Sequence, residues 1–466
     1  MLIWLKLVYK NDKIILNIFR RVIEMNLVRF YLVTDTHYFE PSLGAGGKAF
    51  EKYMEKEQYF MAESSDIVKV TFEAIANDKT VDTVIIPGDL TKNGEIESHK
   101  SFIKELYKLK EAGQNIFVIT AGHDYGEKSR AFVNDECIDV DGTPFEILRD
   151  MYTDFGYSQA LAVDEPTLSY VAEIASGVRL LAINCDSKGN PKGEVDDRLG
   201  EWIKIQLDCA KQDGCSVFAM CHYPMIPPVP VFDLVGDAKL RNWRKTATLL
   251  ADNGVEIILT GHMHIQSVNE YVSEKGNKIV DICTSCLGGS PAKYRKITVE
   301  GNELKVESLD TPEFRAETNG EDIQEYFDKQ FARSIQNRIL GALSGGKGAV
   351  GLLKKFGRKI VGNVTVGGLG RLLWIKVDKS LRKQKFLDFA GNVGVAIFKG
   401  DRPYGKDTAV GDLIARVLKR FGFIIRKVEP KLSKNGVSVD LTDMLLKTVS
   451  TETGYSDNNT TVILKN

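Results

Sequence analysis

The chain has 466 residues, 43% of them hydrophobic and 27% charged, and a formal net charge of −1. Single cores stop growing near roughly 250–300 residues, so this length implies one large domain plus an accessory piece. A net charge so close to zero excludes a molecule-wide field that recruits nucleic acid, and no specific nucleic-acid partner is inferred.

Residues 1–25 read as an N-terminal extension. Their apolar face is broken by Lys6, Lys10, Lys13, Arg20 and Arg21, so neither a good signal peptide nor a spanning helix is expected. The expectation is a start upstream of the true one at Met25, or a short amphipathic surface helix.

From residue 27 apolar, β-branched runs alternate with amphipathic helices. The runs are LVRFYLV (27–33), VDTVIIP (81–87), NIFVIT (115–120), VRLLAIN (178–184), SVFAM (216–220) and VEIILT (255–260). Near-continuous apolar runs of this kind suit strands covered on both faces. Helices are expected at about 57–77, 97–112, 198–212 and 241–253, which makes the class α/β. Residues of about 125–177 interrupt the rhythm and read as a cap inserted over the strand ends. After residue 265 shorter alternating runs, IQSVNEYVS, KIVDICTS, YRKITVEG and ELKVESL, predict antiparallel strands forming a second sheet packed on the first.

These boundaries give a catalytic domain over 26–314 and a mainly helical accessory region over 315–466. Within the latter, residues 329–387 carry fourteen Lys and Arg against one acid, Asp378. Such a stretch suits weak contact with an anionic membrane. The alternative is a subdomain that packs its Leu, Val and Trp374 inward.

Seven cysteines scattered over this length lack the dense even set of a small disulfide scaffold. They imply a reducing, cytoplasmic location. Cys283 and Cys286 have no second pair to complete a zinc site and read as buried thiols near a strand end.

The residues just past each run carry the chemistry. LVTDTH ends in Asp35 and His37, IIPGDL contains Asp89, ITAGHD contains His123 and Asp124, AMCHYP contains His222, and LTGHMH contains His262 and His264. Five of the six histidines therefore fall at the carboxyl ends of predicted strands, where α/β sheets hold their ligands. Residues two apart project the same way, so Asp35 with His37, and His262 with His264, can grip one ion or two neighbours. Imidazole and carboxylate without thiolate suit Mn, Fe or Zn. The sixth histidine, His99, lies on a predicted helix and reads as structural.

D-x-H, G-D-x-x-x-x-G, a G-N-H-D-like step, a later single His and G-H-x-H, in that order, resemble the calcineurin-like metallophosphoesterase superfamily. GDLTKNGEIESH, FGYSQA, LSYVA and GHMHIQSV resemble its bacterial phosphohydrolase branch most. The resemblance covers about residues 26–310. It implies two packed mixed β-sheets flanked by helices, a four-layer α/β/β/α sandwich, with the cap and the helical C-terminal region appended.

The resemblance also implies two metal ions. Asp35, His37 and His264 would hold the first, His222 and His262 the second, and Asp89 would bridge them. A hydroxide shared by the ions would attack the phosphorus of a small phosphorylated substrate, either monoester or diester. His123 would protonate the leaving oxygen.

Two positions depart from the superfamily pattern. Gly122 stands where an asparagine usually lends an amide oxygen to the second ion, and Lys92 where many members carry an Asp or Asn that orients the acid histidine. The second site retains three protein ligands, enough for a catalytic ion with water but with weaker binding. Asp124 turning inward is another way to complete it. The competing reading is a low-activity regulatory or binding protein on the same metal scaffold. Tyr223 and Phe232, beside the loop after His222, are expected to pack or to stack on a leaving group.

Overall fold

A computed structural model describes residues 27–55, 57–186, 193–314, 316, 318, 320–344, 357–432, 439–451 and 454–465. The N-terminal extension, with its expected surface helix or upstream start, lies outside the described residues.

The chain begins with β1 (Leu27–Leu32), followed by α1 (Lys48–Met54), α2 (Ser64–Asn77), β2 (Thr83–Pro87), α3 (Ile96–Glu111) and β3 (Asn115–Ile119). A hairpin of β4 (Lys128–Val133) and β5 (Glu136–Asp141) leads through α4 (Phe145–Met151) to β6 (Ala160–Asp164), β7 (Ser169–Ala175) and β8 (Val178–Ile183). Next come α5 (Asp197–Gln212), β9 (Ser216–Cys221), α6 (Trp243–Asp252) and β10 (Ile257–Thr260), then β11 (Ser267–Val272), β12 (Lys278–Cys283), β13 (Lys293–Glu300) and β14 (Glu303–Asp310). The described C-terminal elements are α7 (Ile323–Ala342), α8 (Val366–Leu373), α9 (Phe386–Phe398), α10 (Ala409–Leu432), α11 (Leu441–Val449) and β15 (Thr460–Ile463).

Two mixed sheets result, flanked by helices. One has the order β15-β14-β13-β1-β2-β3, the other β11-β12-β10-β9-β8-β7-β6. Their facing sides share one core in which Phe30 of β1 meets Phe218 of β9, ring centroids 6.3 Å apart. The strands in the middle of this core are apolar on both faces, as β2 shows with every residue buried. On the outer face of the second sheet, α5 buries Leu199, Ile203 and Leu207, spaced by four, against a separate apolar layer that includes Leu250 of α6. Asp196 starts α5 by accepting from the Leu199 amide at 2.8 Å.

Three details differ from the sequence reading. The alternating strands after residue 265 do not form a sheet of their own: β11 and β12 join β10, while β13 and β14 join β1. Alternation reports half-burial and leaves open which edge accepts the strand. The supposed cap is smaller than 125–177, because β6 and β7 extend the second sheet beside β8, leaving the β4–β5 hairpin and α4 outside it. The C-terminal region is mainly helical as expected but is not a detached unit. Its last strand, β15, pairs with β14, Phe327 of α7 stacks on Phe60 at 4.3 Å, and Gln266 donates its amide to the Phe398 carbonyl at 3.0 Å.

Among the described residues no helix is long and apolar enough to cross a membrane.

Candidate metal centre

The loops after β1, β2, β9 and β10 converge at the carboxyl ends of their strands, stitched by backbone hydrogen bonds. The amides of Asp35 and His37 donate to the carbonyls of Gly88 and Asp89 at 3.3 and 3.0 Å, and the Gly261 amide donates to the His222 carbonyl at 3.0 Å. Asp35, His37, Asp89, His262 and His264 all have positive φ, between 41° and 68°. For histidine this conformation is unfavourable, and clusters of such residues mark sites where the surrounding structure imposes geometry for function.

Glycines let the loops approach. A Cβ on Gly261 would collide with Thr34 Oγ1 and Asp35 Oδ2, and one on Gly88, at φ 94°, would crowd Ala121 and the His222 ring. Gly261→Ala is therefore expected to destabilise the fold by about 1–3 kcal/mol through overpacking. Thermal unfolding measures this, and an unchanged melting temperature contradicts the close packing described.

All six sequence-predicted ligands come together. Asp35, His37 and Asp89 form one group, and Asp89, His222 and His262 another, with ligand atoms in each group within 4.8 Å of one another. His264 Nε2 lies 3.2 Å from His37 Nε2 and 3.3 Å from Asp35 Oδ1. Asp89 Oδ2 lies 3.1 Å from His222 Nε2 and 3.8 Å from His37 Nε2, so its carboxylate touches both groups.

The hydrogen bonds fit this cluster to cations. His222 donates its Nδ1–H to the Pro87 carbonyl at 2.9 Å, and His262 its Nε2–H to the Asp237 carbonyl at 2.7 Å. Carbonyl partners of this kind orient metal-ligating imidazoles. The remaining ring nitrogens, His222 Nε2 and His262 Nδ1, are 3.2 Å apart and face the Asp89 carboxylate. In neutral rings these are all acceptors, so their convergence requires positive charge among them.

The electrostatics agree. Burial by itself lowers the affinity of His222 for a proton, but the Asp89 carboxylate beside it reverses this and lifts its pKa to about 10. Burial likewise raises the Asp89 carboxyl, and the His222 and His123 rings outweigh it, holding Asp89 well below the usual carboxylate range. Burial keeps His262 neutral, lowered to about 4, and holds His37 well below its ordinary value.

Below about pH 10, then, a proton on His222 competes with any cation bound at the Asp89–His222–His262 group. Metal affinity there should rise with pH, by up to about tenfold per unit between about pH 6 and 9, with release of about one proton per ion. Calorimetric titration in buffers of different ionisation enthalpy tests this. Binding without proton release contradicts it.

His123 stands half-buried at the edge of the cluster, its ring 5.1 Å from that of His37. Its Nδ1–H is directed to the Lys92 carbonyl at 2.8 Å and to Asn93 Oδ1 at 3.0 Å, which leaves Nε2 as the exchangeable nitrogen. Thus the histidine is oriented despite Lys92: the backbone of Lys92 and the neighbouring amide of Asn93 serve. The Lys92 side chain is buried, with its ammonium over the Tyr59 ring at 4.6 Å.

Asp124 does not reach the cluster. Its Oδ1 accepts from the Thr91 amide at 2.9 Å and its Oδ2 from the Ala121 amide at 2.8 Å, so it braces the loop and is not available to replace the missing asparagine. Burial first, then the nearby Asp89 charge, push its pKa up to about 8. His99 is structural as expected, buried between Tyr152 and the Asp124 carbonyl, with burial lowering its pKa to about 4. Tyr223 packs its ring at 4.0 Å from that of His262, and Phe232 joins an apolar cluster with Ile397 and Phe398.

Three neighbours were not read from the sequence as parts of the site. Asn93 lies inside GDLTKNG and could have been found as the amide nearest the expected orienting position. Tyr59, with its ring 3.9 Å from that of His37, lies in a segment predicted as helix, although α2 starts only at Ser64. Cys286 is a buried thiol as expected, but its Sγ also donates to the Asp35 carbonyl at 3.0 Å and lies within reach of His37 and His264. Burial pushes its pKa well up, which keeps it a thiol.

The sequence model of the calcineurin-like phosphoesterase family matches residues 28–266, just over half of the chain and the stretch that supplies all of these ligands. The chain belongs to the calcineurin-like phosphoesterase family. This family member is 27% identical over 132 residues to a probable cyclic nucleotide phosphodiesterase of Rhodococcus erythropolis, a match covering 28% of this chain and 37% of that relative. It therefore spans well under two thirds of the curated relative's length. Among solved structures it is similar to a dimetal phosphatase from Danio rerio, with TM-score 0.41 and 11% identity, covering 61% of this chain and 97% of that one. It is also similar to a purple acid phosphatase from yellow lupin seeds, with TM-score 0.38 and 14% identity, covering 61% and 52% of the two chains.

Proposed function

We propose that this phosphoesterase hydrolyses a small phosphomonoester or phosphodiester with two ions of the Mn, Fe or Zn type. The observation that carries the reading is the convergence of two buried carboxylates and four imidazoles, with His222 and His262 turned toward the Asp89 carboxylate by the carbonyls that hold their other ring nitrogens. Asp35, His37 and His264 would hold one ion, His222 and His262 the other, and Asp89 would serve both. Bound there, the ions supply Lewis acidity to the phosphoryl oxygens and acidify the attacking water. Pro87 and Asp237 fix the rings of His222 and His262, and Lys92 and Asn93 aim His123, whose Nε2 delivers a proton to the leaving oxygen.

The second ion would have three protein ligands, because Gly122 offers no side chain and Asp124 is committed to the Thr91 and Ala121 amides. Purified protein should carry up to two ions per chain, with one sub-stoichiometric. Gly122→Asn should raise that occupancy and preserve or increase turnover. Elemental analysis checks both, and absence of Mn, Fe and Zn even after incubation with excess metal sinks the reading. The competing reading, a scaffold with little turnover, is separated by assaying an aryl phosphate and an aryl phosphodiester with added manganese.

A further inference from the structure

We propose that the C-terminal region docks this protein on an anionic lipid surface through an exposed apolar face built from the end of α8 and the second half of α10. The observation is Trp374, 87% exposed, which caps α8 with a φ of 59°. A left-handed tryptophan held out in water is unfavourable on both counts. Leu372 beside it is 61% exposed.

The residue between them, Leu373, packs on the same buried cluster of Val366, Ile375, Val377, Leu381 and Leu413 as do Val417 and Phe421 of α10, and its carbonyl accepts from Arg420 Nε at 3.3 Å. The two elements are therefore neighbours. Phe423, Ile424 and Val428 follow Arg420 by three, four and eight positions, the spacing of one helix face. They are 55%, 45% and 36% exposed. Five large apolar side chains are thus exposed on these two neighbouring elements, which contrasts with the buried Trp374 that an inward-packed subdomain requires.

The rim of this face decides the occupant. Arg371, Lys376 and Lys379 flank Trp374, and Lys419, Lys427 and Lys431 flank the α10 stripe, all exposed. Asp378, the acid among the first group, is bonded to Ser380. In the α10 group the acid is Glu429, whose Oε1 accepts from the Leu441 amide at 3.0 Å. An apolar centre with tryptophan, rimmed by six cations against these two acids, matches the interface between acidic headgroups and acyl chains. Nucleic acid would use the cations but leave the aliphatic centre in water.

The test is co-sedimentation of the full chain with phosphatidylcholine vesicles prepared with and without phosphatidylserine. Binding to the phosphatidylserine vesicles at low ionic strength, with loss at high salt, is expected. The double variant W374A/F423A should weaken binding about tenfold or more, and K376E/K379E by a similar factor. These positions are exposed and lie outside the metal cluster, so hydrolysis in solution and the circular dichroism spectrum should stay as in the unaltered chain. Any of four results overturns the proposal. They are no binding at low salt, equal binding to neutral vesicles, full binding by W374A/F423A, and a concentration-dependent dimer without vesicle binding that this variant abolishes.

Discussion

Asp89→Ala is expected to lower turnover by about three orders of magnitude or more and to release both ions together. The carboxylate stands between the two groups of ligands, 3.1 Å from His222 Nε2 and 3.8 Å from His37 Nε2, and Oδ1 also accepts from the His123 amide at 3.2 Å. Its loss removes the charge that lifts His222 to about 10, so the ring becomes an ordinary buried neutral imidazole. Elemental analysis and an aryl phosphate assay on the same preparation test this. Loss of one ion with retention of the other would show that Asp89 serves a single site.

His123→Ala should separate chemistry from metal binding. His123 is outside both groups of candidate ligands and is held by Lys92 and Asn93. Metal content should stay near that of the unaltered protein while hydrolysis slows by about a hundredfold or more for substrates with poor leaving groups. For a leaving group that departs without protonation, such as nitrophenolate, the effect should be much smaller. That contrast is the signature of an acid, and a large metal loss in this variant would refute the assignment.

Much of the site was legible because metal ligands obey position and chemistry together. Five histidines follow apolar runs, and the loops after β1, β3, β9 and β10, strands of two facing sheets, bring them together at the strands' carboxyl ends. What sequence could not convey was tertiary. The destinations of β11 to β14 depend on which edge offers free backbone groups, which no alternating pattern encodes. β15 was missed because four residues near the chain end, TTVI, carry too little pattern to outweigh the helical segments before them. Tyr59 reaches His37 from a loop with no motif, and the positive φ of His37 and His264 is imposed by loop stitching that becomes visible only in three dimensions. Lys92 resembles a lost orienting group only while a side chain is sought. The hydrogen bond comes from its carbonyl, which every residue type possesses.

The most direct test of the central claim is a metal titration of hydrolysis. Protein stripped by a chelator is titrated with manganese while turnover of an aryl phosphate and an aryl phosphodiester is followed alongside bound metal. Activity that is absent without metal and rises only as the second equivalent fills is the predicted result. Full activity in the metal-free chain, or none against either ester class with two ions bound, would contradict it.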